Sequence, residues 1–440
     1  MPNPTEALKR AFGRAHPAVF TVVAGLAGFS AYFAMYAFRK PFTAATFDAV
    51  PGWSLLLDYK IALVIAQVAG YALSKFIGVK VISEIEPRRR ALAILGLIGV
   101  SWLALFLFAL VPAPWNVFAM FLNGLPLGMI WGLVYGFMEG RRVSEALAAM
   151  MCASFVLSSG VVKSIGAWLM LTVHVDRFWM PAATGALFIP LLLLSVFVLN
   201  ALPPPSAEDE AQRVKRAPMS AADRREILFA YGPGLFAIVV AYVLLTAFRD
   251  YRDNFAAEIW KAMGFGGEAG IFSASEAPVA FITLFAMGAI MLVRDNRRAL
   301  MTIHAMVALG FVIIGLSTLA FQAHLIGPLV WMILGGVGLY VAYNPVNAAL
   351  FDRMVAVSGR SANAGFLIYV ADSAGYLGSV VVLLWRNFGQ GGMDWLQFFI
   401  MGAYVTSIAG TVLTALAAVY FYHRSAQPLA SPVAEAVVAP

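Results

Sequence analysis

Charged residues are scarce in this sequence, and cysteine is almost absent. Only 12% of the 440 residues are Asp, Glu, Lys or Arg, whereas 61% are hydrophobic and the mean hydropathy is +0.82. A soluble globular protein does not carry so much apolar surface, so the composition indicates a polytopic membrane protein. The single cysteine, Cys152, excludes an intrachain disulfide.

Motifs for catalysis, nucleotide binding and metal binding are also missing. The five histidines are scattered without metal-ligand spacing, and neither a P-loop nor a Gly-x-Ser-x-Gly elbow occurs. We therefore expect no enzyme activity, no metal and no cofactor. The net charge of +7 comes from basic residues in short loops, a pattern typical of membrane topology and not of nucleic-acid binding.

Twelve apolar segments are long enough to span a bilayer as helices, six on each side of a polar, proline-rich stretch. We therefore predict an all-α integral membrane protein. Its predicted parts are an N-terminal six-helix half (1–201), a cytoplasmic linker (202–228), a C-terminal six-helix half (229–424) and a disordered tail (425–440). The predicted segments are 18–47, 57–82, 91–111, 115–138, 145–172, 178–201, 231–261, 269–293, 299–321, 325–350, 362–385 and 395–422.

Lysine and arginine concentrate in alternate loops, such as the loop at 88–90 and the predicted linker. This positive-inside bias predicts that both termini and the linker lie in the cytoplasm. We expect no cleavable signal peptide, because the first apolar segment is much longer than the hydrophobic region of a signal.

Two arginines stand at matching places in the two halves. Arg39 follows Tyr32 and Tyr36 at helical spacing, and Arg249 lies in the seventh segment. A lipid-facing arginine costs about 2.5–3.5 kcal/mol or more, whereas two phenols and a guanidinium on one helix face suit an oxyanion. We therefore predict a paired site for a small anion. The alternative for Arg39 is snorkelling to headgroups, although apolar residues continue to Phe47 and favour a long, tilted helix.

Short pieces along nearly the whole chain resemble one transporter family. Residues 31–42 (AYFAMYAFRKPF), 70–77 (GYALSKFI) and 375–378 (GYLG) are similar to the organophosphate:phosphate antiporters of the major facilitator superfamily. The resemblance implies the major facilitator fold and exchange of a phosphorylated solute for phosphate, and we expect a monomer in a bacterial inner membrane. It also implies site residues: phosphoryl binding by Arg39 and Arg249, and a pore lined by Tyr32, Tyr36, Tyr71 and Tyr376.

The seventh segment departs from that family because it carries the additional charges Asp250, Arg252 and Asp253. In one interpretation, Arg252 enlarges the anion site. In the other, which we favour, Arg252 and Asp253 form a gate or a structural salt bridge at the outer mouth, because neighbouring carboxylates neutralise the arginine.

Other charges interrupt the apolar segments. Lys163 stands near the place of a family histidine and is predicted to bind the anion or carry a proton, the alternative being snorkelling. Asp372 is predicted to pair with Lys163 or an arginine, or to carry a proton itself. Lys40, Lys75 and Glu276 are candidates for coupling or for structural pairs between the halves.

These observations favour a secondary transporter of a small organic anion, a phosphorylated solute exchanged for phosphate, working by alternating access. One alternative is a proton-coupled carboxylate or drug transporter that uses Asp372. Another is a membrane sensor that binds organophosphate without transporting it. The expected partners are the small anion, phosphate or a proton as coupling species, and membrane lipids, with no nucleic acid.

Overall fold

The computed structural model describes residues 4–14, 16–138, 144–204, 221–358, 364–390 and 392–426, and its regular elements there are all helical. Within them, twelve helices are long and apolar enough to cross a membrane. We number these helices 1 to 12. In order, their bounds are Pro17–Tyr36, Tyr59–Glu84, Arg90–Leu110, Asn116–Leu127 with Ile130–Tyr135, Ser144–Leu171, Met180–Asn200, Ala221–Asn254, Ile271–Met291, Asn296–Gln322, Pro328–Pro345 with Phe351–Ser358, Ala364–Phe388 and Trp395–Ala426. The predicted all-α integral membrane class is confirmed.

The helices pack as two sets of six with the same internal contacts. In the first set, helix 1 packs on helices 5 and 6, helix 2 on helix 4, and helix 3 on helices 4 and 6. The same pairs recur six helices later: helix 7 on 11 and 12, helix 8 on 10, and helix 9 on 10 and 12. The two halves therefore repeat one packing scheme.

The halves meet mainly along two helix pairs. Helix 5 packs against helix 8, and helix 2 packs against helix 11. Helices 1, 4, 7 and 10 are thereby left to surround the space between the halves, where they position most of the polar side chains described below.

Helix 1 ends earlier than the sequence predicts. The apolar segment 18–47 was predicted as a single long helix, but its helix stops at Tyr36 and is followed by a turn and a short 3₁₀ helix, Pro41–Ala44. Pro41 lacks an N–H donor, and its ring clashes with the carbonyl four residues before it. Arg39 therefore lies in a turn and does not continue a tilted helix; it is half-buried, between the buried residues Phe38 and Lys40.

Close packing of helix 4 on helix 2 depends on glycine. A Cβ atom on Gly124 would stand 2.2 Å from the carbonyl oxygen of Gln67, and one on Gly128 would stand 2.6 Å from that of Tyr71. Small residues allow such backbone contact between helices. This contact fixes the position of helix 2, which carries Tyr71 and Lys75.

Several predicted boundaries differ from the helices. Helix 7 begins at Ala221, inside the range predicted as linker, and helix 12 runs to Ala426, inside the range predicted as tail. The remainder of the predicted linker from 205 to 220, and of the tail from 427 to 440, lies outside the described residues.

Candidate functional site

A cavity of about 300 Å³ lies between the two halves. This volume falls at the lower end of the range of small-molecule sites. Helices 1, 2, 4 and 5 of the first half and helices 7, 10 and 11 of the second half contribute to its wall. The charged residues of the wall are Arg39, Lys40, Lys75, Arg249, Asp250, Asp253 and Asp372.

Arg39 is the cation in this wall that has no anionic partner among the described residues. Its guanidinium carbon lies 3.9 Å from the centre of the Tyr71 ring and 5.8 Å from that of Tyr36, so it is held by aromatic faces. No described carboxylate lies within 4.0 Å of it, and its buried Nε has no hydrogen-bond partner. A buried, unpaired charged donor is costly, so this group has the chemistry of an anion receptor.

The positive charge of Arg249, by contrast, is neutralised by the carboxylate of Asp250. Its Nε and Nη2 atoms donate to Oδ1 of Asp250 at 3.0 and 2.8 Å, and its guanidinium carbon lies 4.5 Å from the centre of the Tyr343 ring. Oδ2 of Asp250 accepts a hydrogen bond from Ser379 at 2.8 Å. The two arginines predicted as a pair do face one cavity, but their electrostatic situations differ.

The four predicted tyrosines all line the cavity. The Tyr32 ring meets the Tyr36 ring edge-on at 5.5 Å and the Trp131 ring at 5.0 Å. Tyr71 and Tyr376, from opposite halves, meet edge-on at 6.0 Å. The phenols therefore form an aromatic wall beside Arg39 that reaches across the boundary between the halves.

Asp253 of helix 7 joins the second half to two lysines of the first. Its carboxylate lies 2.5 Å from Nζ of Lys40 and 2.7 Å from Nζ of Lys163, and it accepts a hydrogen bond from Ser159. Lys40 also donates to Oδ1 of Asn254 at 2.8 Å. Lys163 is absent from the cavity wall, so this arrangement places the predicted substrate ligand behind Asp253.

Arg252 does not pair with Asp253. It lies 2.6 Å from Oε1 of Glu276 on helix 8 and donates to the carbonyl of Met332 on helix 10 at 2.9 Å. Arg252 and Glu276 are buried within the second half and absent from the cavity wall. This geometry fits a structural pair, the interpretation favoured for Arg252, with a partner that the sequence did not indicate.

Asp372 pairs with Lys75, and not with Lys163 or an arginine as predicted. Its Oδ2 lies 2.6 Å from the Lys75 ammonium, and its Oδ1 accepts hydrogen bonds from Tyr242 at 2.7 Å and Asn347 at 3.3 Å. The ion pair bridges the halves because helices 2 and 11 pack together, which the spacing along one chain does not reveal. The structure therefore places this pair, unlike Arg252–Glu276, between the halves.

Two further ion pairs join the halves beyond the end of the cavity where helix 2 begins, which we call the closed end. Lys60 donates to both carboxylate oxygens of Glu258 at 2.7 and 2.8 Å, and both residues are buried. Nearby, Lys261 pairs with Asp48 at 2.9 Å, which holds the pKa of that carboxyl below its ordinary value. Along helix 2 the cavity wall runs from Tyr71 to Ile82, so the cavity extends away from the Lys60–Glu258 pair.

Helix 10 contributes a stripe of side chains that the sequence analysis missed: Tyr340, Tyr343, Asn344 and Asn347 all line the cavity. Their spacing of three, four and seven places them on one helix face. That spacing could have identified these residues as one face of the cavity. Helix 10 is buried on most sides, however, and apolar residues surround these positions in the sequence, so no single face stands out. Trp131 and Phe155 of the first half were missed for the same reason.

Replacing Glu258 with Gln should open the closed end more often, because it removes the partner of buried Lys60. Cys152 lines the cavity and is the sole cysteine in the sequence, so the rate at which a thiol reagent labels it measures access to the cavity. A membrane-impermeant methanethiosulfonate should label Cys152 about tenfold faster from the Lys60 side. Such an increase corresponds to about 1.4 kcal/mol, well within the ~3–5 kcal/mol that loss of one buried partner costs.

Glu268→Gln is the matched control, since it removes an exposed carboxylate near the same end. Equal labelling rates in wild type and Glu258→Gln would contradict the role of this pair in closure.

Solved transporter structures resemble this architecture. A peptide transporter POT in complex with sulfate superposes with a TM-score of 0.60 at 15% identity, over 91% of this chain and 94% of that chain. A D-xylose–proton symporter gives 0.59 at 14% identity, over 92% and 97%. The nucleoside transporter NupG gives 0.58 at 14% identity, over 90% and 99%.

These similarities establish the predicted major facilitator fold of twelve helices in two halves. None of the curated proteins compared with the sequence matches it significantly. A family model does match, over residues 41–424. The chain belongs to that family, a family of unknown function (DUF5690).

Proposed function

We propose that this protein is a secondary transporter that moves a small organic anion by alternating access, with Arg39 as the primary receptor for the anionic group. The observation that carries the proposal is Arg39, which lines a cavity between two halves with a buried, unpaired Nε and with no carboxylate partner among the described residues. Sites between repeated halves are the usual place for substrate in such transporters. Each chain holds a complete cavity, so a monomer suffices.

The ion pairs across the halves support alternating access. Lys60–Glu258 joins the halves at the closed end, and Lys40–Asp253 and Lys75–Asp372 join them in the cavity wall. Opening the closed end requires the first of these pairs to separate. On the positive-inside assignment, the open end faces the cytoplasm, and the structure corresponds to an inward-facing state.

The charges of the wall constrain the anion. Four cations (Arg39, Lys40, Lys75 and Arg249) face three carboxylates (Asp250, Asp253 and Asp372), which leaves one positive charge over. Lys163 adds a further charge behind the wall and shares Asp253 with Lys40. We propose that this excess binds the phosphoryl group of a small solute, which exchanges for phosphate. The neighbours' names include a peptide, a sugar and nucleosides, so the fold by itself does not select a substrate.

Arg39→Gln should weaken anion binding by about tenfold or more, because hydrogen bonds to a charged group contribute about 1.5–3 kcal/mol. Arg39→Lys should also be impaired, since an ammonium cannot present the guanidinium fork. Thermal stabilisation of purified protein by phosphate, glycerol 3-phosphate and glycerate measures binding. Uptake of any stabilising anion into proteoliposomes then separates a transporter from a non-transporting sensor.

The double variant Arg249→Gln/Asp250→Asn is the control, because it removes a cation and its carboxylate without changing net charge. We expect it to lose less affinity than Arg39→Gln. Wild-type affinity in Arg39→Gln would contradict the proposed receptor.

A second candidate is proton-coupled transport of a carboxylate, and the Lys75–Asp372 pair favours it. The pair bridges the halves inside the cavity, so any movement that separates helices 2 and 11 leaves a carboxylate without its cation. Such a carboxylate takes up a proton readily. Relief of the unpaired charge would then link proton binding to the change of state.

Asp372→Asn distinguishes the two candidates. For proton coupling, we expect the variant to lose accumulation driven by a pH gradient while it retains exchange of unlabelled for labelled anion. The neutral double variant Lys75→Gln/Asp372→Asn should remain uncoupled as well, whereas a merely structural pair would be rescued by it. Accumulation in Asp372→Asn equal to that of the wild type would exclude Asp372 as the proton carrier.

A further inference from the structure

Asn344 is a buried amide with no hydrogen-bond partner on either atom. It lies in helix 10, is 2% exposed, and belongs to the cavity wall. Among the described residues, neither its Oδ1 nor its Nδ2 finds a donor or acceptor. Burying both ends of an amide without partners is unfavourable, and buried polar groups in folded proteins are rarely left so.

Among the described residues, Asn344 is the amide with both side-chain polar atoms buried and without a hydrogen bond, whereas Asn116 has one such atom, its Oδ1. Nδ2 of Asn123 donates to the carbonyls of Phe38 and Ser101 at 2.9 and 3.0 Å, and its Oδ1 accepts from Gln67 at 2.7 Å. Asn347, one turn after Asn344, donates to the hydroxyl of Tyr242 at 2.8 Å. The lack of a partner on both side-chain atoms therefore sets Asn344 apart from the other described amides.

The surroundings of Asn344 connect it to the anion site. The preceding residue, Tyr343, lies under the Arg249 guanidinium, and Asn347 on the same face contacts Asp372. Helix 10 is also irregular here, since Pro345 is followed by a π-helical turn, Val346–Leu350. Such turns recur at functional sites. Asn344 thus stands in the wall between two charged pairs, on a segment whose backbone is already distorted.

We propose that Asn344 receives an uncharged hydrogen-bonding group of the substrate, so that the cavity selects organic anions that carry a hydroxyl or amide. The inference rests on the proposed function, in which Arg39 holds the anionic group. The amide of Asn344 offers a donor and an acceptor. A hydroxyl or carboxamide of the substrate can accept a hydrogen bond from its Nδ2 and donate one to its Oδ1. An alkyl substituent leaves both atoms of Asn344 unpaired, and a site with unpaired polar groups rejects such an analogue.

Matched probes test this selectivity in the full-length purified protein. Glycerol 3-phosphate is compared with propyl phosphate, and glycerate with propionate, because each pair differs in hydroxyl groups and keeps one anionic group. We expect wild type to bind the hydroxylated member at least about tenfold more tightly. Asn344→Leu, which keeps the branching at Cγ without polar atoms, should lose this preference while its affinity for propyl phosphate stays the same or rises.

Thermal stability separates a binding role from a structural one. Asn344→Leu removes an unpaired buried amide, so its melting temperature should stay level or rise. Asn123→Leu is the control, and its melting temperature should fall because four hydrogen bonds of the Asn123 side chain are lost.

Each outcome bears on a stated claim. Equal affinity of wild type for both members of the pairs, or an unchanged preference in Asn344→Leu, overturns the inference and leaves the proposed function standing. A melting temperature of Asn344→Leu that falls as far as that of Asn123→Leu overturns it too. Failure of all four probes to bind wild type overturns the proposed function, and the inference with it.

Discussion

A guanidinium that cannot lose its proton lies between two membrane-embedded halves, and no carboxylate of the described residues neutralises it. The fold supplies other contacts for Arg39, chiefly the faces of Tyr71 and Tyr36, but these do not cancel its charge. Every carboxylate in the cavity wall is already engaged with another cation. An anion that enters the cavity therefore meets one strongly favourable position, and the remaining charges define its surroundings.

The ion pairs of the cavity region are of two kinds: some join the two halves, and others lie within one half. Lys40–Asp253 and Lys75–Asp372 each contribute one partner from each half, whereas Arg252–Glu276 and Arg249–Asp250 lie within the second half. Relative movement of the halves leaves the second group intact and separates members of the first. In the proposed alternating-access cycle, the pairs between halves are the contacts whose energy changes.

Much of this architecture can be predicted from the sequence. Twelve spanning helices follow from hydropathy, because a bilayer demands long apolar helices with satisfied backbones. The spacing of Tyr32, Tyr36 and Arg39 also indicated a shared face, and all three line the cavity. Arg39 nevertheless lies beyond the end of helix 1, because Pro41 stops the helix. Pro41 was the feature of the sequence that indicated this end.

The ion-pair partners of the charged residues could not be predicted from the sequence. Asp372 pairs with Lys75 because helix 2 packs on helix 11, and Arg252 reaches Glu276 because helices 7 and 8 both pack on helix 10. Which residues meet across such contacts depends on the rotation of each helix about its axis. One position along a helix turns a side chain by about 100°, so a single sequence does not fix these pairs. The unpaired amide of Asn344 escaped notice for the same reason, since its neighbours come from other helices.

The most direct test of the central claim is to locate a bound oxyanion in crystals of the protein soaked with selenate, whose anomalous scattering marks its position. The account predicts a selenium peak in the cavity within hydrogen-bonding distance of the Arg39 guanidinium. A cavity that stays empty while Arg39 turns to pair with Asp253 or Asp372 would contradict it.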